Sequence, residues 1–202
     1  HGDRAPILVM PDINGSFEGD SECVNSTKYG RVETYLAVDV PRWIRRTLSP
    51  APSPRRWAVG GLSEGATCSV WLALRHPGVW RTFASFSGLA NPQYLNDSEA
   101  QTITALFGGS RAAFLAHSPP HLLATRRFPQ LAGWIASGSS DPGPLAAARS
   151  LATLARRAGV ITCLVIAPGG HDFNYWQAAY AAALPWLAGR LGLVPRGPTR
   201  AA

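Results

Sequence analysis

Short apolar runs alternate along this chain with longer stretches in which apolar positions recur every three or four residues. The runs suit buried strands and the longer stretches suit helices with one face on a core, so the order predicts a parallel sheet covered by helices on both faces. Ile7 to Met10 (ILVM) reads as the first strand and ends at Pro11-Asp12. The polar, glycine-bearing stretch from Asn14 to Gly30 reads as a long loop of the kind usually kept for a site. Val32 to Leu48 follows as a helix with Tyr35, Leu36, Trp43 and Ile44 among its apolar positions, and Pro41 predicts a kink or restart. After the proline-rich connector Ser49 to Pro54, strands are expected at Trp57–Gly60, Thr82–Phe86, Trp134–Ala136 and Val160–Ile166. Helices are expected at Glu64–Arg75, Leu145–Ala158 and Tyr175–Leu191, the last interrupted at Pro185. The segment from Asn91 to Gln130 is helical by turns, with Pro119-Pro120 breaking it, and is where a cap or insertion fits. Residues 1–193 are expected to form one domain, and 194–202 a frayed tail rich in Pro and Arg.

Composition narrows this without redirecting it. Among 202 residues, 46% are hydrophobic and 15% charged, which fits a single domain with a buried core and excludes a disordered chain. The net charge of +7 is carried by arginines spread as short pairs, such as Arg45-Arg46, Arg126-Arg127 and Arg156-Arg157, and Lys28 is the sole lysine. No nucleic-acid recognition motif accompanies them, so the charge reads as a solvated basic surface, with anionic lipid or cell-wall glycan as further partners it would suit. Cys23, Cys68 and Cys163 lack metal-ligand spacing, and no metal or organic cofactor is expected. Cys163, within the strand pattern ITCLVIA, reads as an inert core thiol. A bridge between Cys23 and Cys68 is possible if the first loop folds over the helix after Ser63, and it would place the protein outside the cytosol.

The chemistry is concentrated at three predicted strand ends. Gly61-Leu62-Ser63-Glu64-Gly65 stands between an apolar strand and an Ala- and Leu-rich helix. Small residues two before and two after the serine permit the tight turn that lifts a hydroxyl clear of a sheet, and the helix N-terminus favours developing negative charge. A serine is a poor nucleophile until a base takes its proton. The last strand is followed by Pro168-Gly169-Gly170-His171, a turn able to bring His171 back over Ser63, and the preceding strand by Asp141 before Pro142. The chain order Ser63, Asp141, His171 is that of an α/β-hydrolase triad. Asp172 is expected to cap the closing helix, because a carboxylate adjacent to His171 is poorly placed to reach the far ring nitrogen. Glu64 is expected to contribute its backbone N–H to an oxyanion hole. His76, His117 and His121 sit in helix-ending or proline-flanked contexts and carry no expected role.

The phrase GLSEGATCSVWLALRHPGVWRTFASFSG resembles the branch of the α/β hydrolases that includes esterase D, the feruloyl esterases and the antigen 85 mycolyltransferases. Glu33-Thr34-Tyr35-Leu36 with Val40-Pro41-Arg42-Trp43, and Gly170-His171-Asp172-Phe173-Asn174-Tyr175-Trp176, are similar to further stretches of that group, so the resemblance covers nearly the whole chain. It implies an α/β-hydrolase fold, Ser63 as nucleophile, His171 as base, Asp141 as acid, and acyl-ester hydrolysis or acyl transfer. The mycolyltransferases carry Glu where Asp141 stands. The resemblance also implies that the fold's N-terminal strands are missing from this sequence. One of them normally lies between the strands at Ile7–Met10 and Trp57–Gly60 and supplies a second oxyanion donor. The two strands are then expected to leave an unfilled slot, to close up, or to be joined by a partner segment. Three expectations follow for the protein as a whole: an extracytoplasmic location, ester substrates that include cell-envelope lipids or glycans, and an upstream membrane anchor. A non-catalytic glycan-binding module on the same fold is the alternative, although it has no need of the serine, acid and histidine together.

Overall fold

In a computed structural model, residues 5–16 and 18–194 are described. The tail expected at 194–202 therefore lies, beyond its first residue, outside them. Four strands pair in parallel in chain order: β3 (Ala58–Leu62), β4 (Thr82–Phe86), β5 (Ala132–Gly138) and β6 (Ile161–Ala167). Ahead of them, β1 (Asn25–Ser26) and β2 (Gly30–Arg31) make a two-residue antiparallel ribbon inside the stretch expected to be loop. The helices are α1 (Val32–Thr34), α2 (Val40–Thr47), α3 (Glu64–Arg75), α4 (Glu99–Phe107), α5 (Arg111–Leu115), α6 (Pro119–Thr125), α7 (Pro142–Arg157) and α8 (Phe173–Leu191).

The two faces of the sheet follow from the period-two geometry of a strand. Ala84, Phe86, Trp134 and Ala136 pack with Tyr175, Trp176, Ala179 and Ala183 of α8. Phe83 and Ile135, the intervening positions, pack with Val70 and Leu74 of α3, Leu122 of α6 and Leu151 of α7. A third cluster joins the outer face of α3, through Trp71 and Leu72, to Val24, Leu36, Trp57, Leu106 and Phe114. The segment 91–130 is thereby built into the core through α4, α5 and α6. Near this cluster the buried Glu33 carboxylate receives Arg75 Nε at 2.8 Å and lies 2.8 Å from His76 Nε2 and 3.1 Å from His117 Nε2. Burial would push this carboxyl up, but the hydrogen bonds from His117, His76 and Arg75 outweigh it and hold the group well below the usual carboxylate range.

Two expectations need correction. Ile7–Met10 is not a strand: it pairs with nothing among the described residues, and Ile7, Leu8 and Met10 are 54%, 66% and 84% exposed. An apolar run becomes a strand only where a ladder and a covering layer await it, and neither is present here. The segment does not pair with β3, whose outer edge is unpaired among the described residues, so the three arrangements expected of two strands here do not apply. Pro185 does not interrupt α8, which continues to Leu191. Pro41 stands in the first turn of α2, where α-helical geometry resumes as expected: the turn before it widens into a π-helical stretch over Tyr35–Asp39, and helical backbone runs on from there into α2. Such a widening removes the clash between a proline ring and the carbonyl four residues earlier, here Ala37.

Cys23 and Cys68 are joined by a disulfide, and Cys163 is a free, half-buried thiol rather than a fully buried one. The bridge spans 45 residues of chain and ties the first loop to the helix that follows Ser63. Chain-entropy arguments give ~4 kcal/mol for a loop of that size. Thiol titration of the denatured, unreduced protein is expected to find Cys163 alone, and the double substitution Cys23→Ser/Cys68→Ser to lower the free energy of urea unfolding by about 2–4 kcal/mol.

Candidate active site

Where β3 hands over to α3, Ser63 adopts φ 53° and ψ −119°, a conformation costly for a residue with a side chain. Its N–H donates to the Phe86 carbonyl at 3.0 Å and its carbonyl accepts from Ala66 and Thr67, so the strained turn is held from both sides. The turn closes only because Gly61 has no side chain: a Cβ there would stand 2.5 Å from the Gly65 carbonyl carbon and 2.8 Å from its Cα. The close approach requires a glycine at position 61 and not at 65, where an added Cβ would meet no other atom within 4 Å.

The three residues expected to meet do so. Ser63 Oγ lies 2.8 Å from His171 Nε2, and His171 Nδ1 lies 2.9 Å from Asp141 Oδ2. The ends of three parallel strands position them: β3 leads into Ser63, β5 into Asp141 and β6 into His171. Asp141 is buried and begins α7 without using its side chain as a cap, which leaves the carboxylate to the imidazole. Asp172 does cap α8, accepting from the Tyr175 N–H at 3.0 Å. The His171 ring stands edge-on to Trp176, with centroids 4.9 Å apart, and Trp176 in turn meets the exposed Phe173. Tyr175, nearby, has its hydroxyl pushed up to about 12, by burial first and then by the Asp141 charge. His76 and His117 belong to the Glu33 cluster and not to this site.

Glu64 opens α3, and N–H groups in a helix's first turn have no partner inside the helix. Its backbone is therefore suited to the oxyanion role expected of it. Its side chain does something that sequence reasoning missed. Glu64 Oε2 accepts from Asn14 Nδ2 at 2.7 Å, and Oε1 accepts from the Glu22 N–H at 2.9 Å and from Ser21 Oγ at 3.3 Å. Asn14 Oδ1 accepts from the Ser21 N–H at 2.9 Å, closing the network. The residue after the serine thus clamps the loop that precedes β1, and the Cys23–Cys68 bridge fixes the same loop at the residue after Glu22. The one sequence signal was a charged residue at the start of an otherwise apolar helix.

The clamp carries an electrostatic conflict. Glu22 is buried, and no hydrogen bond reaches its Oε2 among the described residues. Burial, then the Asp20 charge, and to a lesser degree the Glu64 charge push its carboxyl well above the usual range against an opposing Gln93 backbone contact. Asp20 is also raised by burial, although the Leu95 N–H donates to its Oδ2, and Glu64 is raised by burial and by Asp20 despite its hydrogen bonds.

A cavity of about 490 Å³ lies between the segment Leu89–Glu99 and the N-terminal half of α7, including Gly143 and Ala147, with Phe114 behind it. Its size suits a small ligand. Leu89 connects it to the elbow, since its N–H donates to Thr67 Oγ1 at 2.9 Å, but neither Ser63 nor His171 lines it.

Residues 3–187 match the protein family described as "Putative esterase". The chain belongs to that family. An uncharacterised protein of Corynebacterium glutamicum is 35% identical over an alignment of 199 residues that covers 96% of this chain and 46% of that protein. The chain thus spans about half the length of this relative. The S-formylglutathione hydrolase of Agrobacterium tumefaciens superposes with a TM-score of 0.71 at 19% identity, over 85% of this chain and 64% of that one. MPT51 of Mycobacterium tuberculosis gives 0.64 at 20%, over 86% and 74%. At these identities the likeness is one of fold, and the fold is the α/β hydrolase expected from the sequence, here a partial one.

Two outcomes are expected within this esterase-family site. A carboxyl whose native pKa exceeds its unfolded value binds its proton more tightly in the fold, so stability falls as pH rises through the native value. Glu22→Gln removes that penalty while keeping the shape. Its melting temperature is expected to exceed that of the parent at pH 8 by several degrees, ~2–4 °C for each kcal/mol, with the gap closing near pH 4. Glu64→Gln replaces one acceptor oxygen by an NH2 that faces donors, and is expected to cost about 2 kcal/mol in urea unfolding, the scale of a lost charge-assisted hydrogen bond.

Proposed function

We propose that this domain is a serine hydrolase or acyltransferase acting on carboxylic esters through an acyl-enzyme on Ser63. The observation that carries the reading is the continuous hydrogen-bonded chain from Ser63 Oγ through both nitrogens of His171 to Asp141. Membership of the esterase family agrees with it.

In this reading His171 Nε2 takes the Ser63 proton as Oγ attacks the ester carbonyl. Asp141 accepts from the Nδ1–H, which fixes the tautomer and stabilises the imidazolium. The Glu64 N–H, at the positive end of α3, receives the developing oxyanion. His171 then returns the proton to the departing alcohol, and water or an incoming sugar hydroxyl repeats the sequence in reverse on the acyl-enzyme. Asp141 is buried while the His171 side chain is 42% exposed, so the carboxylate is shielded and the base stays open to substrate.

The Cys23–Cys68 bridge supports an extracytoplasmic location, since such bonds persist in oxidising compartments. Cell-envelope lipids or glycans are the ester substrates, and an upstream membrane-anchored region the context, that this reading assigns to an extracytoplasmic esterase-family domain. Glu64 is the one oxyanion donor assigned, and a missing donor costs ~10²–10³ in kcat.

The test is hydrolysis of p-nitrophenyl acetate together with labelling by a fluorophosphonate probe. Ser63→Ala is expected to abolish both, and Asp141→Asn to lower kcat by ~10³–10⁴ as a wrong tautomer does. Equal rates for the parent and Ser63→Ala, in proteins that melt alike, would overturn the reading.

A further inference from the structure

The helical stretch from Val32 to Thr47 packs one side on the core and leaves the other to solvent. Leu36, Ala37 and Pro41 are buried, whereas Tyr35, Val38 and Trp43 are 39%, 41% and 51% exposed. At 100° per residue, Arg45, Arg42, Arg46 and Trp43 of α2 fall within an arc of about 160°, with Val40 and Ile44 on the opposite side. The three arginines are all exposed and share with Ala37 and Val38 the lining of a shallow concavity of about 380 Å³. Arg45 also covers the Trp57 ring, with its guanidinium carbon 4.9 Å from the centroid. The acid on this face is Asp39, at 3.7 Å from Arg42, which leaves the face strongly positive.

We propose that this face is a docking surface for an anionic phospholipid bilayer. Its charge complements phosphate headgroups, and guanidinium groups suit phosphate oxygens well. The exposed apolar side chains decide between a bilayer and a soluble polyanion. Trp43 and Tyr35 are of the type that settles at the headgroup level, and the aliphatic Val38 gains nothing from a nucleic acid or a sulfated glycan but is desolvated on entering a lipid interface. The face is separate from the serine, histidine and aspartate, so the proposal does not depend on the catalytic reading and survives its failure.

The test is co-sedimentation of the full chain with vesicles of phosphatidylcholine alone, and of phosphatidylcholine with roughly a third phosphatidylglycerol. Each arginine near an anionic surface is worth roughly a fivefold change in partitioning. The chain is expected to bind the anionic vesicles at least tenfold more tightly than the neutral ones, with the preference lost at high salt. Arg42→Glu/Arg46→Glu is expected to remove that preference. Trp43→Ala is expected to weaken binding several-fold at unchanged salt dependence, a response that a purely electrostatic contact would not show. If charge reversal compromises folding, Arg42→Gln/Arg46→Gln with a matched thermal melt carries the same expectation at smaller amplitude. Equal binding to both vesicle types overturns the proposal, as does anionic binding untouched by both arginine pairs. Retention on heparin or duplex DNA without vesicle binding would assign the face to a soluble polyanion instead.

Discussion

One residue in a conformation it would not choose holds the geometry of the candidate site in place. Ser63 has a left-handed φ between a parallel strand and a helix, and that geometry aims its hydroxyl off the end of the sheet instead of into a face. The surroundings over-determine the strain. The neighbouring strand anchors the serine N–H, the first turn of α3 uses its carbonyl, and the absence of a side chain at Gly61 allows the backbone of Gly65 to come close. A relaxed turn would carry the hydroxyl away from His171, and a hydrogen bond of 2.8 Å tolerates little such movement.

The material around the elbow works to a different end. Cys68 and Glu64 both lie in α3 and both hold the loop of residues 12–23, one covalently and one through three accepted hydrogen bonds. The loop buries Asp20 and Glu22 beside Glu64; burial pushes all three carboxyls up, and the Asp20 charge adds to the shift of Glu22 and of Glu64. Like-charge crowding of this kind opposes folding at neutral pH, and the bridge constrains the loop against it. Local conflict offset by a non-local constraint is the pattern expected beside a functional site, where positions are selected for geometry and not for stability.

The elbow, the acid and the histidine were legible because each is written in a few contiguous residues at a strand end: Gly61 to Gly65, Asp141 before Pro142, and Gly169-Gly170-His171. Chain order then combined three weak signals into one strong one. The parallel order of β3 to β6 was legible for a similar reason, since alternating strand and helix patterns admit few topologies. What could not be read depends on partners distant in sequence. The Glu64 side chain meets Asn14 and Glu22, 50 and 42 residues away, and nothing local distinguishes a clamp from a solvated acid. Ile7–Met10 has every local mark of a strand, but whether it pairs is decided by a neighbour and not by its own residues. Pro185 resides in a helix whose other residues outvote it, and the widened turn before Pro41 is a backbone accommodation with no composition of its own.

The outer edge of β3 gives these points a common physical meaning. A strand inside a parallel sheet is stiffened by neighbours on both sides, whereas β3, which leads into Ser63, pairs among the described residues with β4 alone, and its residues alternate between exposed and half-buried. Leu62, immediately before the serine, is 39% exposed on that edge. Unpaired edges are the places where sheets fray or accept another strand. A strand laid along this edge would satisfy the free backbone groups of Ala58–Leu62, cover Leu62, and bring further N–H donors to the side of Ser63 opposite β4. The same addition would stiffen the turn at Ser63, which ties the geometry of the candidate site to the pairing of β3.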